Sequence, residues 1–186
     1  VLQIENHNSK KSVIFSLERL QHSVADLTEF SVNNNRGVIV FSTNKIFQQK
    51  VSALLTEKGI SNVVFNSNTK KELYDKYLKE FDIGNIDVIV GGTALIEALS
   101  LYRLSLIIDT DLSLSENSII QLIGRLKRFN PEICNKQKVY LKLVYKGISE
   151  KKFKNTTLFV LKTMDYIKLQ PTKSTNTYNL VGLFQT

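Results

Sequence analysis

Residues 38–59 read VIVFSTNKIFQQKVSALLTEKG, and this stretch decides the fold. Val38 to Ser42 is a continuous apolar, β-branched run of the kind found in parallel strands buried on both faces. Phe47, Val51, Leu54 and Leu55 then follow at helical spacing, and Gly59 stands where helices commonly stop. Strand, helix and turn therefore occupy 22 residues. The unit recurs downstream. NVVFN (62–66) predicts a short strand, 72–81 a helix with Leu73, Tyr77 and Phe81 along one side, and Gly84 a break before DVIVG. LSLIIDT (104–110) predicts a further strand, followed by a helix from about Ser115 with Ile119, Leu122, Ile123 and Leu126, and by an alternating strand in VYLKLVY (139–145). Upstream, Val13, Leu17, Leu20, Val24 and Leu27 outline an amphipathic helix over 12–30, with His22 off its stripe and the Asn33–Gly37 run ending it. A last helix is expected from Ser149 to about Leu169, with a polar stretch beyond Pro171. Strands alternating with helices imply an α/β fold of three layers with a mainly parallel central sheet.

Composition bounds the function. The chain has 186 residues, 42% hydrophobic and 23% charged, which suits one ordinary domain. Its apolar runs fall well short of the ~18 residues that cross a membrane. A single cysteine, Cys134, and two histidines, His7 and His22, give no disulfide pairing and no zinc spacing, so a reducing, intracellular setting without a structural metal is expected. The N-terminal residues lack a methionine and a signal-peptide pattern, which suggests an excised piece of a larger protein. Charge is unevenly spread: residues 1–120 carry 12 Lys/Arg and 14 Asp/Glu, whereas 121–186 carry 13 and three. A net +10 in the last third would draw polyanions such as nucleic acid, in competition with salt.

Ligands of a parallel α/β sheet gather at the carboxyl ends of its strands. The polar residues just past each apolar run are Ser42-Thr43-Asn44, Asn66-Ser67-Asn68, Gly91-Gly92-Thr93 and Asp109-Thr110-Asp111. Turn chemistry alone explains any one of these sets. Their recurrence at one edge offers hydroxyls and backbone N–H groups to phosphate oxygens. Gln121-Leu122-Ile123-Gly124-Arg125-Leu126-Lys127-Arg128 is the most specific string: on a helix Gln121, Gly124, Arg125 and Arg128 share a side, and arginine offers a planar fork to phosphate.

This string resembles motif VI of the superfamily 2 helicases and translocases, QxxGRxxR. RGVIVFSTN (36–44) looks like motif IV, VIVGGTALIEALSL (88–101) like the motif V region, and LIIDTD like the strand that follows. The Thr93 to Gln121 spacing and the Lys-Gly-Ile-Ser-Glu helix start at 146–150 fit the same pattern, over roughly residues 36–165. The resemblance implies a second, C-terminal RecA-like domain over 1–170, with 171–186 as an extension or linker. It implies arginine fingers at Arg125 and Arg128, and nucleotide-side roles for Gln121, Gly124, Glu97 and Ser100. It also implies contact of Ser42, Thr43, Ser67, Gly92 and Thr93 with a DNA or RNA backbone. ATP and Mg²⁺ would be held mainly by a first, N-terminal RecA-like lobe, because these residues contain no GxxxxGK[ST] loop and no DExx box. Asp109 and Asp111 are not expected to bind metal. The family's motif V glycine is Ala98 here and its acidic ribose contact is Ser100. That departure motivates a second reading: a catalytically impaired module that scaffolds nucleic acid or protein. A dinucleotide-binding Rossmann domain is disfavoured, since no GxGxxG follows the first strand. The Lys/Asn/Ile-rich composition fits an AT-rich genome, a viral one for example.

Overall fold

The computed structural model describes residues 3–4, 10–66, 69–95, 101–111, 116–126 and 130–145, with the side chains of residues 3–4, 10–17, 71, 116–117, 119–120, 125 and 144–145 outside that description. In chain order the elements are β1 (Gln3–Ile4), α1 (Lys10–Asn33), β2 (Gly37–Phe41), α2 (Lys45–Glu57), β3 (Asn62–Phe65) and α3 (Lys71–Asp82). They continue with β4 (Val88–Gly91), β5 (Leu104–Asp109), α4 (Glu116–Leu126), β6 (Val139–Lys142) and β7 (Val144–Tyr145). Five strands form one parallel sheet in the order β3-β4-β2-β5-β6. The chain starts at the middle strand, fills one half through β3 and β4, then crosses to fill the other.

Both faces of this sheet are covered, which is why its strands are continuous apolar runs rather than alternating ones. On one face Val38, Val40, Val88, Val90, Leu106 and Ile108 pack against Leu20 and Val24 of α1 and Phe47, Val51 and Leu55 of α2. On the other, Ile39, Phe41, Ile89 and Ile107 meet Phe81 of α3 and Leu122 and Leu126 of α4. Three layers result, as the strand and helix alternation implies. Buried hydroxyls in α1 stay satisfied within the helix: Thr28 Oγ1 donates to the Val24 carbonyl at 2.7 Å and Ser31 Oγ to that of Leu27 at 2.7 Å. His22 is exposed. Helix α2 ends before Gly59, whose φ of +73° lies in the left-handed region that a side chain resists.

Two expectations need correction. Leu73 is 41% exposed, and the buried side of α3 runs instead through Tyr74, Tyr77, Leu78 and Phe81. Tyr74 stacks on Phe65 with ring centroids 4.4 Å apart, so the aromatic body rather than the leucine closes the layer. The VYLKLVY segment is not one strand: β6 completes the main sheet, whereas β7 pairs in parallel with β1, Gln3 opposite Val144. The expected helix at 149–169, the 146–150 start and the stretch past Pro171 lie outside the described residues.

Candidate nucleic-acid and nucleotide interface

Three turns meet at the carboxyl edge of β2, β4 and β5. The Ser42 N–H donates to the Gly91 carbonyl at 2.9 Å, which ties the end of β2 to the end of β4. Gly92 lies so close to this turn that a Cβ there would stand 3.0 Å from the Ser42 carbonyl oxygen and 3.3 Å from Gln48 Nε2. Gln48, buried in α2, donates that Nε2 to the same Ser42 oxygen at 2.6 Å. From β5, the Thr110 N–H and hydroxyl both donate to the Phe41 carbonyl, each at 2.9 Å. Asp111 Oδ2 accepts the Thr43 N–H at 3.0 Å. Asn44 then caps α2, its Oδ1 accepting the Phe47 N–H at 3.1 Å, and its own N–H reaches Ser42 Oγ at 3.3 Å.

These bonds decide what the turn can offer a ligand. The N–H groups of residues 42, 43 and 44 all have partners inside the shelf, while the Thr43 and Thr93 side chains are exposed. Hydroxyl groups are therefore the outward chemistry of this turn. Ser42, Thr43, Gly92 and Thr93 are brought together as the sequence suggests, although Ser42 is buried. Ser67 lies outside the described residues.

Beneath the shelf is a buried charge system that sequence reasoning missed. Asp109 is 0% exposed and pairs with Lys142 at 2.8 Å, and it also accepts the Tyr140 hydroxyl. Burial raises the Asp109 carboxyl above its ordinary range, opposed by the Lys142 ammonium and these hydrogen bonds. The same burial, with Asp109 alongside, pushes the Tyr140 phenol well upward. Lys142 Nζ also donates to the Asp111 carbonyl. A signal was present: register places Asp109 of β5 directly beside Lys142 of β6, a lone cation between two leucines. Among the described residues no group of three His, Cys, Asp or Glu is arranged to hold a metal ion.

Helix α4 turns one side outward. Gln121 and Gly124 are exposed, whereas Leu122, Ile123 and Leu126 are buried. Position 125 falls in the 121/124 sector by helical register. A Cβ added to Gly124 would meet nothing within 4 Å, so there is room for a ligand to approach. Arg128, Glu97 and Ser100 lie outside the described residues.

The helicase conserved C-terminal domain pattern matches residues 18–130, more than half of the chain and the whole of this edge. The chain belongs to that family. As a helicase C-terminal domain it is similar to UvrABC system protein B of Chlamydia trachomatis, 32% identical over 96 residues, covering 49% of this chain and 14% of that protein. It is also similar to ATP-dependent RNA helicase DeaD of Haemophilus influenzae, 24% identical over 87 residues, covering 47% of this chain and 14% of that one. The match thus spans about one-seventh of the length of either relative. Among solved structures, the C-terminal domain of the DEAD-box protein Dbp5 shares the fold with a TM-score of 0.63 at 14% identity, over 78% of this chain and 79% of that one. The RecA-like architecture of a superfamily 2 C-terminal domain is thereby established. The two sequence relatives named are bacterial, which lends a viral source no support. No described helix is long and apolar enough to cross a membrane.

Proposed function

We propose that this domain is the second motor lobe of an ATP-dependent helicase or translocase, closing on a first RecA-like lobe that holds ATP and Mg²⁺. The observation that carries the reading is the outward side of α4. There the QLIGRLKR string turns Gln121 and Gly124 to solvent while its leucines and Ile123 anchor the helix. Arg125 and Arg128 are the fingers that meet charge building on the γ-phosphate. Gln121 relays nucleotide state to lobe closure, Gly124 admits close approach, and Glu97 and Ser100 flank the nucleotide. Mg²⁺ has its ligands on the first lobe, because Asp109 is committed to Lys142 and Tyr140, and Asp111 Oδ2 to Thr43.

At the carboxyl edge of the sheet Thr43, Thr93, Ser42, Gly92 and Ser67 meet the nucleic-acid backbone, and phosphate contacts of this kind carry little base preference. In support, a yeast Dbp5 structure of the same fold holds RNA and ADP BeF3. Residues 1–170 form the lobe and 171–186 an extension. In the polypeptide carrying both lobes, Arg125→Ala or Arg128→Ala lowers ATP turnover by about 10³-fold, the lower end for lost arginine fingers, with nucleic-acid affinity held within about twofold. Undiminished turnover in both variants overturns the finger assignment. The departures at Ala98 and Ser100 are what support the second reading, a catalytically impaired module that scaffolds nucleic acid or protein. Its signature is a wild-type polypeptide that binds nucleic acid and turns over no ATP with or without it.

A further inference from the structure

The turn leaving β5 is fastened to the turn leaving β2 by hydrogen bonds at Thr110 and Asp111. Asp111 Oδ2 accepts the Thr43 N–H at 3.0 Å, across 68 residues of sequence. Asp111 is itself 7% exposed and held from behind: its N–H donates to Asp109 Oδ1 at 2.9 Å and its carbonyl accepts from Lys142. Asp109 is held in turn, its other oxygen accepting from Lys142 and the Tyr140 hydroxyl. On the outer side of the Thr43 peptide the side chain is exposed. Five residues after Asp111, α4 begins at Glu116 and carries Gln121 and Arg125.

We propose that Asp111 is a positioning residue that sets the Thr43 hydroxyl for the nucleic-acid backbone. The inference rests on the reading above and adds a residue that touches neither ligand. Electrostatics makes it sharply testable. A carboxylate beside a phosphate-binding shelf repels the polyanion, so a bystander Asp111 would tighten binding when removed. A positioning Asp111 does the reverse, because the loosened turn no longer holds its hydroxyl in place.

The experiment follows ATP turnover against oligo(dT) and oligo(U) concentration in the polypeptide carrying both lobes. Asp111→Ala is expected to raise the KM for oligonucleotide about fivefold, the equilibrium counterpart of one backbone hydrogen bond, with kcat at saturation within about twofold. Asp111→Asn is expected to stay within about twofold of wild type, since its amide oxygen accepts the same N–H. Should the alanine variant fail to fold, Asp111→Glu keeps the charge, displaces the acceptor by one methylene, and carries the same expected rise. An unchanged or lowered KM in the alanine variant, or in the glutamate variant in its place, overturns the inference and leaves the motor reading standing. Wild-type turnover indifferent to both oligonucleotides overturns the inference together with that reading.

Discussion

The two ends of one parallel sheet are built from opposite kinds of residue. Immediately before β2, β4, β5 and β6 stand Arg36, Asp87, Arg103 and Lys138, all charged. Immediately after β2, β4 and β5 stand Ser42, Gly92 and Thr110, all small and neutral. At the amino edge the cations reach backbone carbonyls that the sheet leaves over: Arg103 donates to Ile86 at 2.8 Å, Lys138 to Tyr102 at 2.9 Å, and Arg36 to Gln137 at 2.6 Å. Arg103 also pairs with Asp87 at 2.8 Å and lies over the Phe81 ring. Charge there is spent on the fold. At the carboxyl edge Asp109 and Lys142 pair beneath the surface, and the Thr43 and Thr93 side chains are left outside. One end fastens the domain, while the other presents exposed threonines where we propose that nucleic acid binds.

Lys142→Met breaks the comparison most severely, because it strands a carboxylate that is 0% exposed. Removing one partner of a buried pair costs about 3–5 kcal/mol, and urea denaturation of the domain at neutral pH is expected to show a loss of that size. Acidity should narrow the deficit. Burial already holds Asp109 above its ordinary carboxylate value and Lys142 pulls it back down, so the variant's folded-state pKa moves further up while the unfolded value stays put. The folded variant then binds the proton more tightly than the unfolded chain, and its stability rises as pH falls through that folded-state pKa. A deficit that is constant between neutral and mildly acidic pH would show that Asp109 is not the group left stranded.

A cut at the other end separates fastening from function. Arg103→Ala removes a half-buried ion pair, its carbonyl contacts and its cover over Phe81, for an expected loss of about 1–3 kcal/mol in the same denaturation assay. In the two-lobe polypeptide, below the temperature at which the variant melts, the oligonucleotide KM should stay at the wild-type value. A KM shift comparable to that of Asp111→Ala would dissolve the distinction between the edges.

Much of the layered fold was legible because buried parallel strands leave no choice of face: VIVF (38–41), VIV (88–90) and LII (106–108) are apolar throughout, and polar or turn residues bound them. Helix phase was less secure. Leu73 and Tyr74 are adjacent, either fits a stripe through Tyr77, and only the stack on Phe65 selects the tyrosine. Alternation in VYLKLVY correctly gave extended chain, but not that β7 leaves the main sheet to pair with β1. The shelf was legible for the same reason as the strands, since small polar residues directly follow each apolar run. Its supports were not. The Asp111 to Thr43 bond and the Asp109 to Lys142 pair join residues 68 and 33 positions apart, and both depend on strand order and register that no local pattern encodes. The charges at the amino edge look like ordinary solvated residues until Arg36, 1% exposed, is seen buried among the strand starts.

The smallest stability effect belongs to the most outward group. Thr43 is exposed, and its bonded N–H and the Asn44 cap beside it belong to the backbone and the neighbouring residue rather than to its hydroxyl. Thr43→Ala should therefore leave the denaturation midpoint nearly unchanged, within about 0.5 kcal/mol, as surface substitutions generally do. Oligonucleotide affinity, read by fluorescence anisotropy in the two-lobe polypeptide, should nevertheless fall about threefold to tenfold through loss of one phosphate hydrogen bond. Thr43→Ser retains the hydroxyl and should restore it. Because such a contact adds no charge, the slope of affinity against salt should be the same in all three proteins even as the curves separate. A changed slope would mean that the alanine variant has disturbed the lysines and arginines rather than the shelf, and the carboxyl edge would then owe its grip to charge after all.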